Sequence, residues 1–373
     1  MKLTVLQENL AKAINTAARF ASTKAQLPIL GNILLNSQKT KIIVSSTNLE
    51  VSVSVSVGAK VTEEGEISVP AKVVSELIDN LPKETLDITS EKEQLKVSAS
   101  GFSSTVLGIN TADFPKIPNS VSREKSISMP KADLTKALSQ VAFATSVDET
   151  RPVLTGVLFI FGNKDLSLVA TDGFRLSRKN IKVDHKGGES RMILPKTVLN
   201  ELSRSGDSGD EILFELKDKE KQVVFGMGDT ILSSRLLEGE YPDFEKIIPK
   251  KGSSEILVDK EEFGRAVKLA SIFARDGANI VKIKILKESL KISAESGNSG
   301  SQEAKVDAKI TNVSTELAEG EISFNFRFLE DFLHSVTGEE VKMEFSGPNS
   351  PGLFTDTSDS SYLHLIMPVK VQG

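Results

Sequence analysis

A seventeen-residue pattern occurs three times in this chain without a gap, and a chain that repeats itself at domain length must fold as several similar bodies. The copies are V-L-Q-E-N-L-A-K-A-I-N-T-A-A-R-F-A from Val5, M-P-K-A-D-L-T-K-A-L-S-Q-V-A-F-A-T from Met129 and V-D-K-E-E-F-G-R-A-V-K-L-A-S-I-F-A from Val258. Their spacing of about 125 residues is well above that of solenoid repeats and suits an independent core. In each copy an apolar residue (Leu10, Leu134, Phe263) is followed at +3 by alanine (Ala13, Ala137, Ala266) and at +4 by an aliphatic residue (Ile14, Leu138, Val267). This spacing places all three on one helix face. A small residue also recurs, at Ala18, Ala142 and Ser271, and predicts close approach of each helix to a sheet.

A second element recurs within each unit. V-P-A-K-V-V-S-E-L-I (from Val69), L-P-K-T-V-L-N-E-L-S (from Leu194) and F-N-F-R-F-L-E-D-F-L (from Phe324) each join a strand-like end to a short amphipathic helix. Pro70 and Pro195 stand where a first helical turn tolerates a missing N–H. Between the helices the chain alternates with period two, as in V-S-V-S-V-S-V from Val51, and Gly, Asn and Asp punctuate the runs. Antiparallel hairpins follow. The expected fold is α+β, with three similar domains (residues 1–121, 122–250 and 251–373), each carrying two helices packed on antiparallel sheets. The joins fall in turn-rich segments, Phe114 to Ser120 and Ile247 to Ser254.

Bulk properties narrow the function. The chain has 373 residues and no cysteine, which excludes disulfides, thiol nucleophiles and thiolate metal sites. No apolar run approaches the ~20 residues that cross a bilayer, and the N-terminus lacks the pattern of a secretory signal, so a reducing cytoplasm is expected. Lys plus Arg number 46 against 51 Asp plus Glu, a net charge of −5. That balance argues against a protein that holds nucleic acid by gripping phosphates.

The repeats, with L-P-I-L-G-N-I-L-L (from Leu27), A-D-F-P (from Ala112), A-T-D-G-F-R-L (from Ala170), Y-P-D-F (from Tyr241) and M-P-V-K (from Met367), give the chain an order of motifs that resembles the bacterial β sliding clamp family over its whole length. The resemblance implies a non-catalytic processivity subunit of the DNA polymerase III holoenzyme. It implies a head-to-tail homodimeric ring with helices inside and sheets outside, held on duplex DNA by enclosure. Weak attraction then suffices, which answers the acidic balance. The DNA-facing candidates are Lys12, Arg19, Lys24, Lys136, Lys196 and Arg204, on or just after the repeated helices. Ile272 and Phe273 are candidate dimer-interface residues. No cofactor or metal is implied.

The resemblance also gives A-T-D-G-F-R-L a role. Asp172-Gly173 reads as a tight hairpin turn, but the apolar Phe174 and Leu176 beside it are unexplained by a turn alone. In the first repeat S-T-N-L-E-V (from Ser46) takes its place, and the added glycine is expected to alter the turn. By matching positions, a cleft for partner peptides would comprise Leu154, Thr171, Gly173, Phe174, Arg175, Leu176, Pro242, Lys246, Ile247, Leu365, Met367, Pro368 and Val369. An exposed apolar patch rimmed by cations would take Leu or Phe anchors beside a Gln. The partners implied are the replicative polymerase, the clamp loader, translesion polymerases, mismatch repair proteins and DNA ligase. The family often has histidine where Phe174 stands, so the site should be less sensitive to pH near neutrality.

Rival readings are weaker. F-T-D-T-S (from Phe354) with A-T-D-G faintly resembles an aspartic protease pair, but a solvated loop is the expectation. The GxG of F-G-M-G-D-T (from Phe225) lacks a following helix and reads as a turn. His185, His334 and His364 have no metal-ligand spacing. The remaining alternative is a peptide-binding scaffold that never encircles DNA.

Overall fold

The computed structural model describes residues 1–22, 27–184, 188–204, 210–249, 254–276, 278–312 and 321–370. Each repeat opens on a strand that runs directly into its long helix: Lys2–Leu6 into Gln7–Ala18, Ile127–Pro130 into Lys131–Val141, and Ser254–Asp259 into Lys260–Ala274. Asp259 caps the third of these, accepting from the Glu262 amide at 2.8 Å, an interaction of about 1 kcal/mol. The predicted apolar triplets are buried in all three copies. The small-residue position is not uniform. Ser271 is buried, but Ala18 and Ala142 are only half-buried, because Ala17 and Val141 one step earlier take the inward place.

The short helices are Ala71–Asn80, Lys196–Arg204 and Phe326–Ser335. Pro70 and Pro195 are the last residues of the strands Gly65–Pro70 and Ser190–Pro195, immediately before the helix. Neither interrupts a helical hydrogen bond there. Asn325 fills the matching place in the third repeat and caps its helix, accepting from the Arg327 amide at 3.0 Å.

Contacts divide the chain into two compact units, Met1–Ala132 with Thr197–Leu236 and Asp133–Lys196 with Leu237–Gly373. The first holds a five-stranded and an eight-stranded sheet, the second one sheet of twelve strands, all built from antiparallel pairs. The units follow the sheets more closely than the repeats, because sheets run across repeat boundaries. In the first unit, Thr230–Arg235, the last strand of repeat two, pairs with Val51–Gly58 of repeat one. In the second, Asp359–Ile366, the last strand of repeat three, pairs with Arg175–Lys182 of repeat two. The matching last strand of repeat one, Phe102–Leu107, is the terminal strand of its sheet.

The serines of V-S-V-S-V-S-V are not a solvent face. Ser52 and Ser54 are buried, Ser52 against Ser233 (Oγ···Oγ 2.6 Å) and Ser54 donating to the Pro118 carbonyl at 3.1 Å. Their hydroxyls are satisfied, so burial carries no desolvation penalty. F-G-M-G-D-T forms a hairpin, with its turn at Gly228-Asp229 between Gln222–Met227 and Thr230–Arg235.

Candidate functional site

Thr171 and Leu176 face each other across a four-residue connection, so Asp172-Gly173 is not a two-residue hairpin turn. The Thr171 hydroxyl donates to the Arg175 carbonyl (2.6 Å) and accepts from the Gly173 amide (3.1 Å). Asp172 Oδ1 accepts from the amides of Phe174 (2.9 Å) and Arg175 (3.0 Å), and Gly173 has φ +93°. The first repeat builds the same turn. Thr47 donates to the Val51 carbonyl and accepts from the Leu49 amide (both 3.0 Å), while Asn48 Oδ1 accepts from the amides of Glu50 (3.1 Å) and Val51 (2.8 Å). Leu49 occupies the left-handed position at φ +77°. The glycine therefore does not reshape the turn. What changes is the side chains it presents, Glu50 and Val51 in one repeat, Phe174 and Arg175 in the other.

The expected cleft residues separate into three roles. Leu176 and Leu365 are fully buried in a cluster with Leu158, Val169, Ile193 and Phe244, with Leu154 and Thr171 also buried; they form a floor. Val153, Leu237, Tyr241 and Ile248 are half-buried against it; the Y-P-D-F motif pointed to the segment of Tyr241, and the other three carried no signal in the sequence. Phe174 (62% exposed), Ile247 and Met367 stand in solvent, with Pro242 and Gly173 also exposed and Pro368 and Val369 half-buried. The C-terminal segment is fastened to the turn, since the Met367 amide donates to the Phe174 carbonyl and the Val369 amide to the Ser323 carbonyl (both 2.8 Å).

Arg175 is not a rim cation. Its side chain is only 10% exposed; Nε pairs with Asp172 Oδ2 (3.0 Å), Nη1 with Asp331 Oδ2 (2.5 Å), and Nη2 donates to the Phe143 carbonyl (2.8 Å). The guanidinium lies over the rings of Phe328 (4.4 Å) and Phe143 (5.4 Å). Lys246 does sit at the surface, paired with Asp243 at 2.8 Å, a hydrogen bond that raises its pKa. His364 is buried with Nδ1 2.6 Å from Ser177 Oγ; burial, then the Arg175 charge, pushes its pKa down to about 3, so it stays neutral. Its ring stacks on Phe332.

Several other expectations change. Lys196 is half-buried, and its pKa is lowered by burial and then by the Arg175 charge, with Asp331 opposing. Arg19 and Arg204 are exposed but both pair with Glu201 at 3.1 Å. Lys12 and Lys136 are exposed on the long helices, and Lys24 lies outside the described residues. Ile272 is exposed, with Leu269 exposed one turn before it, whereas Phe273 is half-buried against the third-repeat core.

The rival acid pair is overturned. Asp356 is buried, not in a solvated loop. Burial opposes its ionisation, but hydrogen bonds from Ser358, Thr337 and Gly338 overcome this and hold its pKa below the usual carboxylate range. Asp172 is committed to Arg175 and the turn amides. His334 ends the last short helix, and His185 lies outside the described residues. Among the described residues no three His, Cys, Asp or Glu side chains gather as metal ligands, and no helix is long and apolar enough to cross a membrane.

Comparison with known proteins accounts for nearly the whole chain. Residues 1–118, 128–243 and 245–370 match the family models of the N-terminal, central and C-terminal domains of the DNA polymerase III beta subunit. The chain is 28% identical to the beta sliding clamp of Staphylococcus epidermidis and 27% identical to that of Staphylococcus aureus, each over 99% of both chains. The crystal structure of the Bacillus subtilis DNA polymerase sliding clamp superposes with a TM-score of 0.93 at 27% identity, covering 100% of both chains. A Pseudomonas aeruginosa sliding clamp bound to griselimycin superposes with a TM-score of 0.90 at 25% identity, again covering both chains fully.

Proposed function

Since the chain belongs to the DNA polymerase III beta-subunit family and is a non-catalytic DNA sliding clamp, we propose that two copies close head to tail around duplex DNA, with joins between clamp domains near residues 122 and 251. One observation carries this reading. Two of the three last strands in the repeats pair with the preceding repeat, and the third, Phe102–Leu107, is a sheet edge bearing exposed Phe102 and Leu107. An apolar edge left open invites association. Continuing the rule, it pairs with repeat three of a second copy, along Gly300–Thr311.

The register can be carried over. Leu176 faces Leu365, and Glu295 pairs with Ser301 in the third repeat as Thr171 pairs with Leu176 in the second. Ser301 then meets Thr105 of the second copy, and Gln302 meets Ser104. The same correspondence places Ile272 where Arg19 and Phe143 stand, beside the short helix of the following repeat. There the exposed Val73 of the second copy matches Val198, which is buried, and Phe328, which is half-buried. A heterologous contact of this kind closes when its rotation permits and otherwise grows into a filament.

Inside such a ring Lys12, Arg19, Lys136 and Arg204 supply weak, sequence-independent attraction, moderated by Glu201. The cleft around Phe174, Ile247 and Met367 receives short linear motifs of the replicative polymerase, clamp loader, translesion polymerases, mismatch repair proteins and DNA ligase. The protein works in the cytoplasm. The cysteine-free chain allows a direct test with Thr105→Cys and Ser301→Cys together. Oxidation should yield one covalent species of two copies. A ladder of higher multimers, or no cross-link, would reject the closed ring.

A further inference from the structure

We propose that Asp331, on the short helix of the third repeat, is a positioning residue for the peptide cleft, acting through Arg175 to hold the turn that presents Phe174. This rests on the cleft reading above. The turn has one backbone position at positive φ, Gly173, and its outer residue Phe174 is mostly in solvent, so the turn lacks a packing partner on that side. What fixes it is the next side chain. Arg175 is gripped by Asp172 within the turn and by Asp331 outside it, and is sandwiched between Phe143 and Phe328.

Asp331 is the external anchor with charge. Its charge also reaches Lys196, where it opposes the effect of Arg175. Removing the carboxylate leaves a guanidinium and an ammonium as neighbours with one counter-charge, Asp172, which moves with the turn. Their repulsion would drive Arg175 off the aromatic sandwich and release Phe174 from the position that its carbonyl bond to the Met367 amide defines. A peptide would then have to order the turn on binding, which weakens affinity without removing any contact. The first-repeat turn has no such device: Val51 replaces Arg175 and is buried as an ordinary core residue.

The test uses the full chain and a fluorescein-labelled peptide carrying a Gln beside Leu and Phe anchors, read by anisotropy. Asp331→Asn should weaken binding roughly tenfold, and Asp331→Glu should recover most of the loss, which a general packing defect would not. In a double-mutant cycle with Arg175→Gln, the second substitution should add little once the first is made. Unchanged affinity in Asp331→Asn, or independent losses in the cycle, would overturn the positioning role while leaving the cleft in place. Failure of the unsubstituted protein to bind the peptide would overturn both.

Discussion

Two turns in this molecule share a backbone and differ in the side chains they carry. Thr47 to Val51 and Thr171 to Arg175 carry the same four side-chain-to-backbone hydrogen bonds and the same left-handed residue. Around the first lies a cavity of about 260 Å³ with a mixed lining, Glu50, Lys116, Glu220 and Arg235 beside Leu49 and Ile117. The second adjoins a buried apolar cluster that includes Leu176, and Phe174 beside it is exposed. Repetition of a fold thus supplies one backbone frame, and a few substitutions on that frame change what it presents. The shared hydrogen bonds also show why Thr-Asp and Thr-Asn are interchangeable here: both offer a short acceptor to the amides two and three residues on.

The contrast can be broken most severely at the floor. Leu176→Ala should lower unfolding free energy by about 2–5 kcal/mol, measured by denaturant melts, because the side chain is fully buried. A charge there would be worse, so lost binding in Leu176→Asp would report unfolding and not recognition. Phe174→Ala is the diagnostic change. It should weaken peptide binding by roughly tenfold or more with stability within about 0.5 kcal/mol of the parent, whereas Glu50→Ala should leave affinity unchanged. Equal losses at both turns would mean that the polar junction also binds.

Acid should separate the junctions next. Strands Arg175–Lys182 and Asp359–Ile366 are joined by the buried pair Lys179–Asp359 (2.5 Å), while Val51–Gly58 and Thr230–Arg235 meet through serine hydroxyls. Burial opposes ionisation of Asp359, but hydrogen bonds from Lys179, Ser361 and Gln140 prevail and hold its pKa at about 2. A carboxylate depressed in the folded state stabilises above its unfolded pKa and loses that contribution as pH falls through the folded one. Between pH ~4 and ~2, hydrogen exchange should therefore rise at Arg175–Lys182 before it rises at Val51–Gly58. The smallest effect concerns the left-handed residues. Leu49→Gly should stabilise by up to about 1 kcal/mol, and Gly173→Ala should destabilise by a similar amount, since only glycine visits that region without strain.

The helices were legible in the sequence because their burial has a period that three copies repeat, and so was the chain of antiparallel hairpins. Which of the expected cleft residues are buried and which exposed was not legible. Nothing local distinguishes Arg175, held at 10% exposure, from Lys246 at 80%, because the difference is made by Asp331, more than 150 positions away. Asp331 did leave a trace: it aligns with Glu201, which performs a related service for Arg19. The charges that act on Lys196, those of Arg175 and Asp331, were hidden for the same reason. Asp356 looked like a loop acid because its amide donors, Thr337 and Gly338, come from another segment.

Enclosure is the central claim, and topology tests it most directly. With the protein loaded on a nicked circular duplex by a clamp loader and washed in high salt, it should remain bound, then be lost as soon as the circle is cut. Phosphate-gripping binders lose affinity steeply with salt whatever the DNA topology. Loss from intact circles at high salt, or equal retention on circles and linear DNA, would contradict the ring and favour a scaffold that never surrounds its template.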